Sequence, residues 1–357
     1  MQNMRFEDLG VISCLNHYKE FELMKKLEKV ADIAVKVGAA VQPGEKVLIL
    51  GDTGSDERVM DLFMYKCQEV GAEALKMSMH FVEQVTKIPE RVGHAMAECD
   101  VIFPFTKSQI LYSDAILNAR KVARILYMAD LETHNMIRPV VLETDFYEMA
   151  EVAKKIVPLR KGAHKIEVSS AAGTKAEMII DPKRRVNSTD SMVRQVGELD
   201  YLPAGSWSAS PFEDSVNGTF VVDGSLYPVG VVSEPVIFHY KDGWIQSIEG
   251  GKEAADMRDW MAYREKINQG DKQHYWFSHI GGGINKNARY TGNLMEDERV
   301  WNAFCISGGS NAMNFLGNNT AKSHWDGMCD KITMLIDGVP VCENGKFVHP
   351  DLVEFEK

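Results

Sequence analysis

The sequence predicts an α/β N-terminal domain with a mainly parallel sheet, followed by a β-rich α+β C-terminal domain. Three observations carry this reading. Short apolar runs alternate with helix-like stretches through residues 1–160. The texture then changes, over 161–357, to short β-rich runs punctuated by Asp-Gly and Asn-Gly turns. Two histidines and an aspartate with ligand-like spacing fall late in the chain.

Taken in order, residues 18–37 place Phe21, Met24, Leu27, Val30, Ala31 and Ala34 on one helical face. After Pro43-Gly44, the run KVLIL at 46–50 suits a strand buried on both sides of a sheet. Ser55, followed by Asp56 and Glu57, is the expected cap of a helix reaching about Gly71. Strands are expected at 74–79, 100–105 and 123–128, and helices at 88–98 and 145–157. Strands alternating with helices imply parallel pairing. In the second domain, 164–170 and 175–180 flank a hairpin turn, and β-rich runs cover 218–222 and 231–240. Residues 252–267 form one helix, and Asp337-Gly338 and Asn344-Gly345 mark closing hairpins.

The bulk properties exclude several classes. A net charge of -11 argues against nucleic acid as partner, since phosphate neutralisation needs clustered Lys and Arg. No run approaches the roughly 18 apolar residues of a membrane span. The N-terminal segment lacks the basic-then-apolar pattern of a signal peptide, so the expected location is cytoplasmic. The six cysteines, Cys14, Cys67, Cys99, Cys305, Cys329 and Cys342, show no C-x-x-C spacing and are expected to be reduced.

The chemistry concentrates in two places. In Ser323-His324-Trp325-Asp326, residues two apart in an extended chain point to one side. His324 and Asp326 can therefore converge on a cation, and a hydrogen-bonded His–Asp pair is the other reading of the same spacing. His279, in Trp276-Phe277-Ser278-His279-Ile280-Gly281, sits among apolar residues, where a packed core histidine is the bland alternative. Together the three make a two-imidazole, one-carboxylate set of the kind that suits non-haem Fe(II). Asp330 is a competing carboxylate, and Glu213 and Asp214 read equally as outer support or backbone caps. Gly281-Gly282-Gly283 lacks the spacing of a phosphate loop and instead permits close backbone approach.

These stretches resemble two related families. Ser323-His324-Trp325-Asp326-Gly327-Met328-Cys329-Asp330 and the segment from Leu202-Pro203-Ala204-Gly205 to Glu213-Asp214-Ser215-Val216-Asn217-Gly218 are similar to motifs of the aminopeptidase T family. They equally resemble 2,5-dihydroxypyridine 5,6-dioxygenases on the same fold. The peptidase pattern of two metals needs carboxylates that this chain lacks: Ser206 and His279 stand where the peptidases carry Glu, and Cys305 where they carry a ligand His. The dioxygenase pattern, in contrast, is met by Ser278-His279-Ile280-Gly281 and by His324 and Asp326. This second resemblance implies Fe(II) on His279, His324 and Asp326, with a small hydroxylated aromatic or heteroaromatic and dioxygen as substrates. It further implies that Lys107 and Tyr201, standing where the family has pocket histidines, handle the proton, and that Ser307 orients substrate or dioxygen. Both relatives imply a homo-oligomer. The alternative is a hydrolase with Zn(II) or Mn(II) on the same ligands and Glu298 or Glu213 as base.

Overall fold

A computed structural model describes residues 6–81, 88–108, 110, 111, 113–128 and 133–357, with side chains from residue 19 onward except that of Thr133. The chain forms two compact units, Met1–Glu143 with Ser191–Pro203, and Thr144–Asp190 with Ala204–Lys357. This differs from the expected single boundary at 160. The helix Phe146–Lys161 buries Met149, Ala153 and Ile156 within the second unit, and the strand Leu199–Tyr201 returns to the sheet of the first.

The first unit is built on a five-stranded, wholly parallel sheet. Its spatial order is Glu73–Met79, Lys46–Asp52, Val101–Pro104, Arg124–Tyr127 and Leu199–Tyr201. The KVLIL run lies next to the centre, and Leu48, Ile49 and Leu50 are buried on both faces, as a strand between helical layers requires. Helix starts follow local capping chemistry. Asp56, rather than Ser55, caps Glu57–Glu69 by accepting from the Arg58 N–H. The Ser55 hydroxyl instead donates to the Phe105 carbonyl, and the Asp52 N–H donates to the same hydroxyl. A carboxylate in the position before the helix out-competes the hydroxyl for the free N–H, because it also meets the helix dipole.

The second unit packs two antiparallel sheets. The eight-stranded sheet runs Trp244–Glu249, Val236–Lys241, Asn217–Val222, Lys175–Ile179, Lys165–Ser169, Thr333–Ile336, Val339–Glu343 and Lys346–Phe347. The seven-stranded sheet runs Gly230–Val231, Ser225–Tyr227, His324–Cys329, Phe304–Gly309, Phe277–Gly283, Ser206–Ala209 and Val186–Thr189. Aromatic side chains join the layers: Trp325 stacks on Phe238 with ring centroids 4.8 Å apart, and Phe277 meets Tyr240 at 5.3 Å. The hairpin turns obey the expected chemistry. Asp242-Gly243 and Asp337-Gly338 take left-handed backbone angles, and a Cβ on Gly243 would lie 1.8 Å from the Glu213 carbonyl oxygen. The expected helix at 252–267 is present over Lys252–Ile267.

Candidate metal centre

Three adjacent strands of the seven-stranded sheet build the site. Along His324–Cys329 the side chains alternate: Trp325 enters the core between the sheets, so His324 and Asp326 share the opposite face. The Trp325 indole donates to the His274 carbonyl at 2.9 Å. It fills a slot over Gly308, where a Cβ would stand 2.3 Å from its Nε1. The next strand pairs Ser307 with Asp326. On the third strand, Phe277 pairs with Gly308 and Ile280 with Ile306, three steps against two, so one extra residue bulges from the ladder. The bulge brings His279 onto the face of Ser307 and Asp326.

The bulge is held by side chains. The Ser278 carbonyl accepts from Ser210 Oγ at 2.6 Å and from Asn311 Nδ2 at 3.0 Å. Asn311 in turn reaches Glu213 at 2.8 Å, and buried Arg184 pairs with that carboxylate at 2.6 Å. Glu213 therefore supports the His279 strand through Asn311 and is not a member of the donor cluster. Asp330 accepts the Tyr290 hydroxyl and likewise stands outside it.

His279, His324 and Asp326 offer ligand atoms that all lie within 4.8 Å of one another. Asp326 Oδ1 stands 3.6 Å from His279 Nε2 and 3.4 Å from His324 Nε2. The two imidazoles are nearly parallel at 7°, with centroids 5.3 Å apart, and Phe315 stacks on the His279 ring at 5.1 Å. Asp326 is 2% exposed, His279 14% and His324 37%, so the cluster opens to solvent on the His324 side. Ser307, fully buried, spends its hydroxyl on His279: Oγ lies 2.6 Å from Nδ1, accepts the His279 N–H at 3.1 Å and donates to its carbonyl at 3.1 Å. That is a positioning role, which turns Nε2 toward Asp326.

The electrostatics suit a cation. Burial pushes the His279 imidazole down to about 4, with the nearby His324 adding to the effect against the pull of Asp326, so this ring is neutral. Burial opposes ionisation of Asp326, but His324 and His279 outweigh it and hold the carboxyl below its usual range. His324 is shifted upward: burial pulls it down and Asp326 more than compensates. The Cys305 thiol, 3.6 Å from Asp326 Oδ1, is driven far up by burial and the adjacent carboxylate, so it stays a thiol and donates. Burial raises Glu298 to about 7 despite its Arg299 partner, and Asp326 adds to that rise.

The donor set fits a single first-row divalent ion. Two ligand atoms each about 2.1 Å from such an ion sit about 3.0 Å apart at a right angle and about 3.4 Å apart at the tetrahedral angle. The 3.4 Å separation between Asp326 and His324 matches the tetrahedral value, the 3.6 Å separation to His279 is about 0.2 Å longer, and the partly exposed His324 ring has room to adjust. Among the described residues the cluster offers three donors, enough to hold one cation and too few to complete a second site.

Of the residues singled out in the sequence, His279, Ser307, His324 and Asp326 come together. Lys107 and Tyr201 belong to the first unit, at the C-terminal ends of its parallel strands. Lys107 lies beside Gly54 on the loop fixed by Asp52, which accepts from Ser108 N and Oγ, each at 2.7 Å. Tyr201 meets Tyr127 edge-on at 5.9 Å. The donor cluster belongs to the second unit, so the observed cluster does not include these two residues. Sequence reasoning missed Phe315 and Asn311. Asn-Ala-Met-Asn-Phe at 311–315 carries no ligand-like spacing, and only the fold brings it to His279.

Comparison with known proteins adds independent findings. The sequence model of the 2,5-dihydroxypyridine 5,6-dioxygenase family matches residues 34–349. A Pseudomonas putida KT2440 protein of that name is 30% identical over 205 residues, 54% of this chain and 57% of that protein. The matched stretch is thus little more than half the length of that relative. The solved structure of 2,5-dihydroxypyridine dioxygenase from P. putida KT2440 superposes with a TM-score of 0.77 at 22% identity, covering 91% of this chain and 97% of that one. Wild-type AmpT from Thermus thermophilus gives 0.68 at 14% identity, covering 91% and 99%. At these identities the two superpositions speak for a shared fold.

Proposed function

Because the chain belongs to the 2,5-dihydroxypyridine 5,6-dioxygenase family, we propose that it is a ring-cleaving dioxygenase acting on a hydroxylated pyridine or related aromatic, with one Fe(II) on His279, His324 and Asp326. The supporting observation is the donor cluster itself: two imidazoles and one carboxylate on one sheet face, open on the His324 side. When bound, Fe(II) in such a set supplies adjacent open coordination positions and the redox chemistry that dioxygen requires.

The protein's own groups do the rest. Ser307 fixes the His279 ring so that Nε2 faces Asp326. Two neutral imidazoles and one carboxylate balance only half of a divalent charge, which favours a substrate that binds through an ionised ring hydroxyl. Phe315 covers one face of His279 and keeps water from it. Lys107 and Tyr201 are assigned the hydrogen bonds to the substrate hydroxyl and the movement of its proton. A cytoplasmic homo-oligomer is the setting we assign to this chemistry. Among the described residues, no helix is long and apolar enough to cross a membrane.

Glu298, raised to about 7 beside the cluster, favours a second reading, a Zn(II) or Mn(II) hydrolase with that carboxylate as general base. One experiment separates the two. The protein is purified without oxygen, loaded with Fe(II), and offered 2,5-dihydroxypyridine and its analogues. The dioxygenase reading expects one dioxygen consumed per ring absorbance lost. Oxygen-independent turnover, fastest with Zn(II) or Mn(II), would replace it with the hydrolase.

A further inference from the structure

The last turn of helix Phe146–Lys161 carries Arg160, which is completely buried. Among the described residues, none of its three guanidinium nitrogens has a hydrogen-bond partner. The guanidinium lies over the Trp207 indole, 4.0 Å from the ring centroid. It lines a small cavity with Gly282, Gly283, Phe304, Cys342 and Phe347. Buried polar groups are nearly always satisfied, and an exception of this kind asks for an occupant. A buried, uncompensated cation is costlier still, and one cation–π contact offsets only part of that cost.

Among the described residues, a carboxylate, that of Glu356, lies behind the lining and accepts from the Asn302 amide at 2.6 Å and the Phe347 N–H at 2.8 Å, with no bond to Arg160. No Asp or Glu lines the cavity. Burial pushes the Cys342 thiol up to about 12 against the pull of Arg160, so no thiolate forms there at neutral pH. Burial draws Arg160 down to about 10, which leaves it charged at the same pH.

We propose that this cavity is a binding site for a small monovalent anion of the halide class, held by the guanidinium of Arg160. Charge selects the class, because a single guanidinium is balanced by one monovalent anion and not by a divalent one. The lining agrees, since its walls are mostly aromatic and aliphatic, with Asn302 the one amide, and suit a weakly hydrated ion such as chloride or bromide better than strongly hydrated sulfate or phosphate. A water in the same place would accept one or two N–H groups and leave the charge unanswered. The occupant also touches the catalytic sheet. Gly282 and Gly283 end the strand that carries His279, and Phe304 begins the strand that carries Ser307. This inference does not depend on which metal the cluster holds.

The test uses the full-length protein exchanged into sodium gluconate. Its melting temperature is followed as chloride, bromide or sulfate replaces gluconate at constant ionic strength. A saturable rise of a few degrees is expected with chloride and bromide and not with sulfate. Arg160→Met, which keeps the apolar stem and removes the charge, is expected to abolish the rise. A flat wild-type response, or an equal halide shift in Arg160→Met, overturns the proposal. If Arg160→Met does not fold, wild-type crystals soaked in bromide decide: an anomalous peak against the Arg160 guanidinium supports the site, and density of water strength with no anomalous signal overturns it.

Discussion

Replacing Ser307 by alanine probes the part of the centre on which ligand orientation depends. With Nε2 directed at the ion, the His279 Nδ1–H has Ser307 Oγ as its partner at 2.6 Å, and the His279 backbone N–H has the same oxygen at 3.1 Å. The variant strands both donors in a buried setting, at about 1–3 kcal/mol each. The sum, about 2–6 kcal/mol, is a large part of the roughly 5–15 kcal/mol that holds a domain folded, so a lowered melting temperature accompanies the change. Loss of a partner that orients a metal-binding histidine weakens metal affinity by about 10–100-fold. Ser278 Oγ, 3.3 Å from Nδ1, is a partial substitute. Ser307→Ala alone is therefore expected near the tenfold end, about 1.4 kcal/mol, and the Ser278→Ala/Ser307→Ala double variant near the hundredfold end. The assay is competitive titration of Fe(II) and Co(II) against a chromophoric chelator under argon, with thermal melts of the metal-free samples alongside. Unchanged affinity in a folded Ser307→Ala protein refutes the reasoning. Tighter binding would refute it more sharply, because it would mean that the ion takes Nδ1 and that Ser307 had been competing for it.

Three further outcomes are expected. Gly308→Ala places a methyl 2.3 Å from Trp325 Nε1 and 2.7 Å from the His274 carbonyl, so it costs about 1–3 kcal/mol and weakens metal binding by displacing the strand between His324 and Asp326; wild-type melting and affinity would contradict this. Burial works to raise the Glu213 carboxyl, but Arg184 and the N–H donors of Asn318 and Asn311 hold it below its ordinary value of 4.5. Its contribution is complete above that value and is lost as pH falls through the lower folded-state value, whereas Glu213→Gln removes the nearer of Arg184's two carboxylate partners and leaves Asp181 at 3.6 Å, costs about 1–3 kcal/mol at neutral pH and flattens the acid limb of the stability curve; parallel limbs for the two proteins would remove Glu213 from the account. Lys107→Met is expected to keep full metal content and slow substrate-dependent oxygen uptake by about 10²-fold or more, and undiminished turnover would show that this lysine takes no part.

Much of the fold was legible because its signals are local. KVLIL, the Asp-Gly turns and the 252–267 helix each declare themselves within a few residues, and the structure forms them where the pattern places them. Ser55 and Asp56 show the limit: both are good caps, and which one serves depends on where the Ser55 hydroxyl finds the Phe105 carbonyl, a residue 50 positions away. The division at 160 failed for a similar reason, since nothing local tells the strand Leu199–Tyr201 that its partner is Arg124–Tyr127. The His-x-Asp pair was readable from strand alternation alone. His279 was not. Strict alternation from Phe277, a core residue, would send His279 into the core as well, and the extra residue in the ladder reverses that. Its bulge leaves no mark in the sequence beyond serine and histidine between two apolar residues.

The way that bulge is secured bears on how the protein acquires its cofactor. An interrupted ladder is ordinarily where a strand loosens first, yet here Ser210 and Asn311 take up the carbonyl the sheet gives away, and Arg184 with Glu213 anchors Asn311 from behind. The imidazole is thus already set in place by groups that have no need of an ion. Loading becomes the docking of a guest in a finished seat, so chelation should empty this protein without unravelling it, unlike small domains that fold only around their zinc.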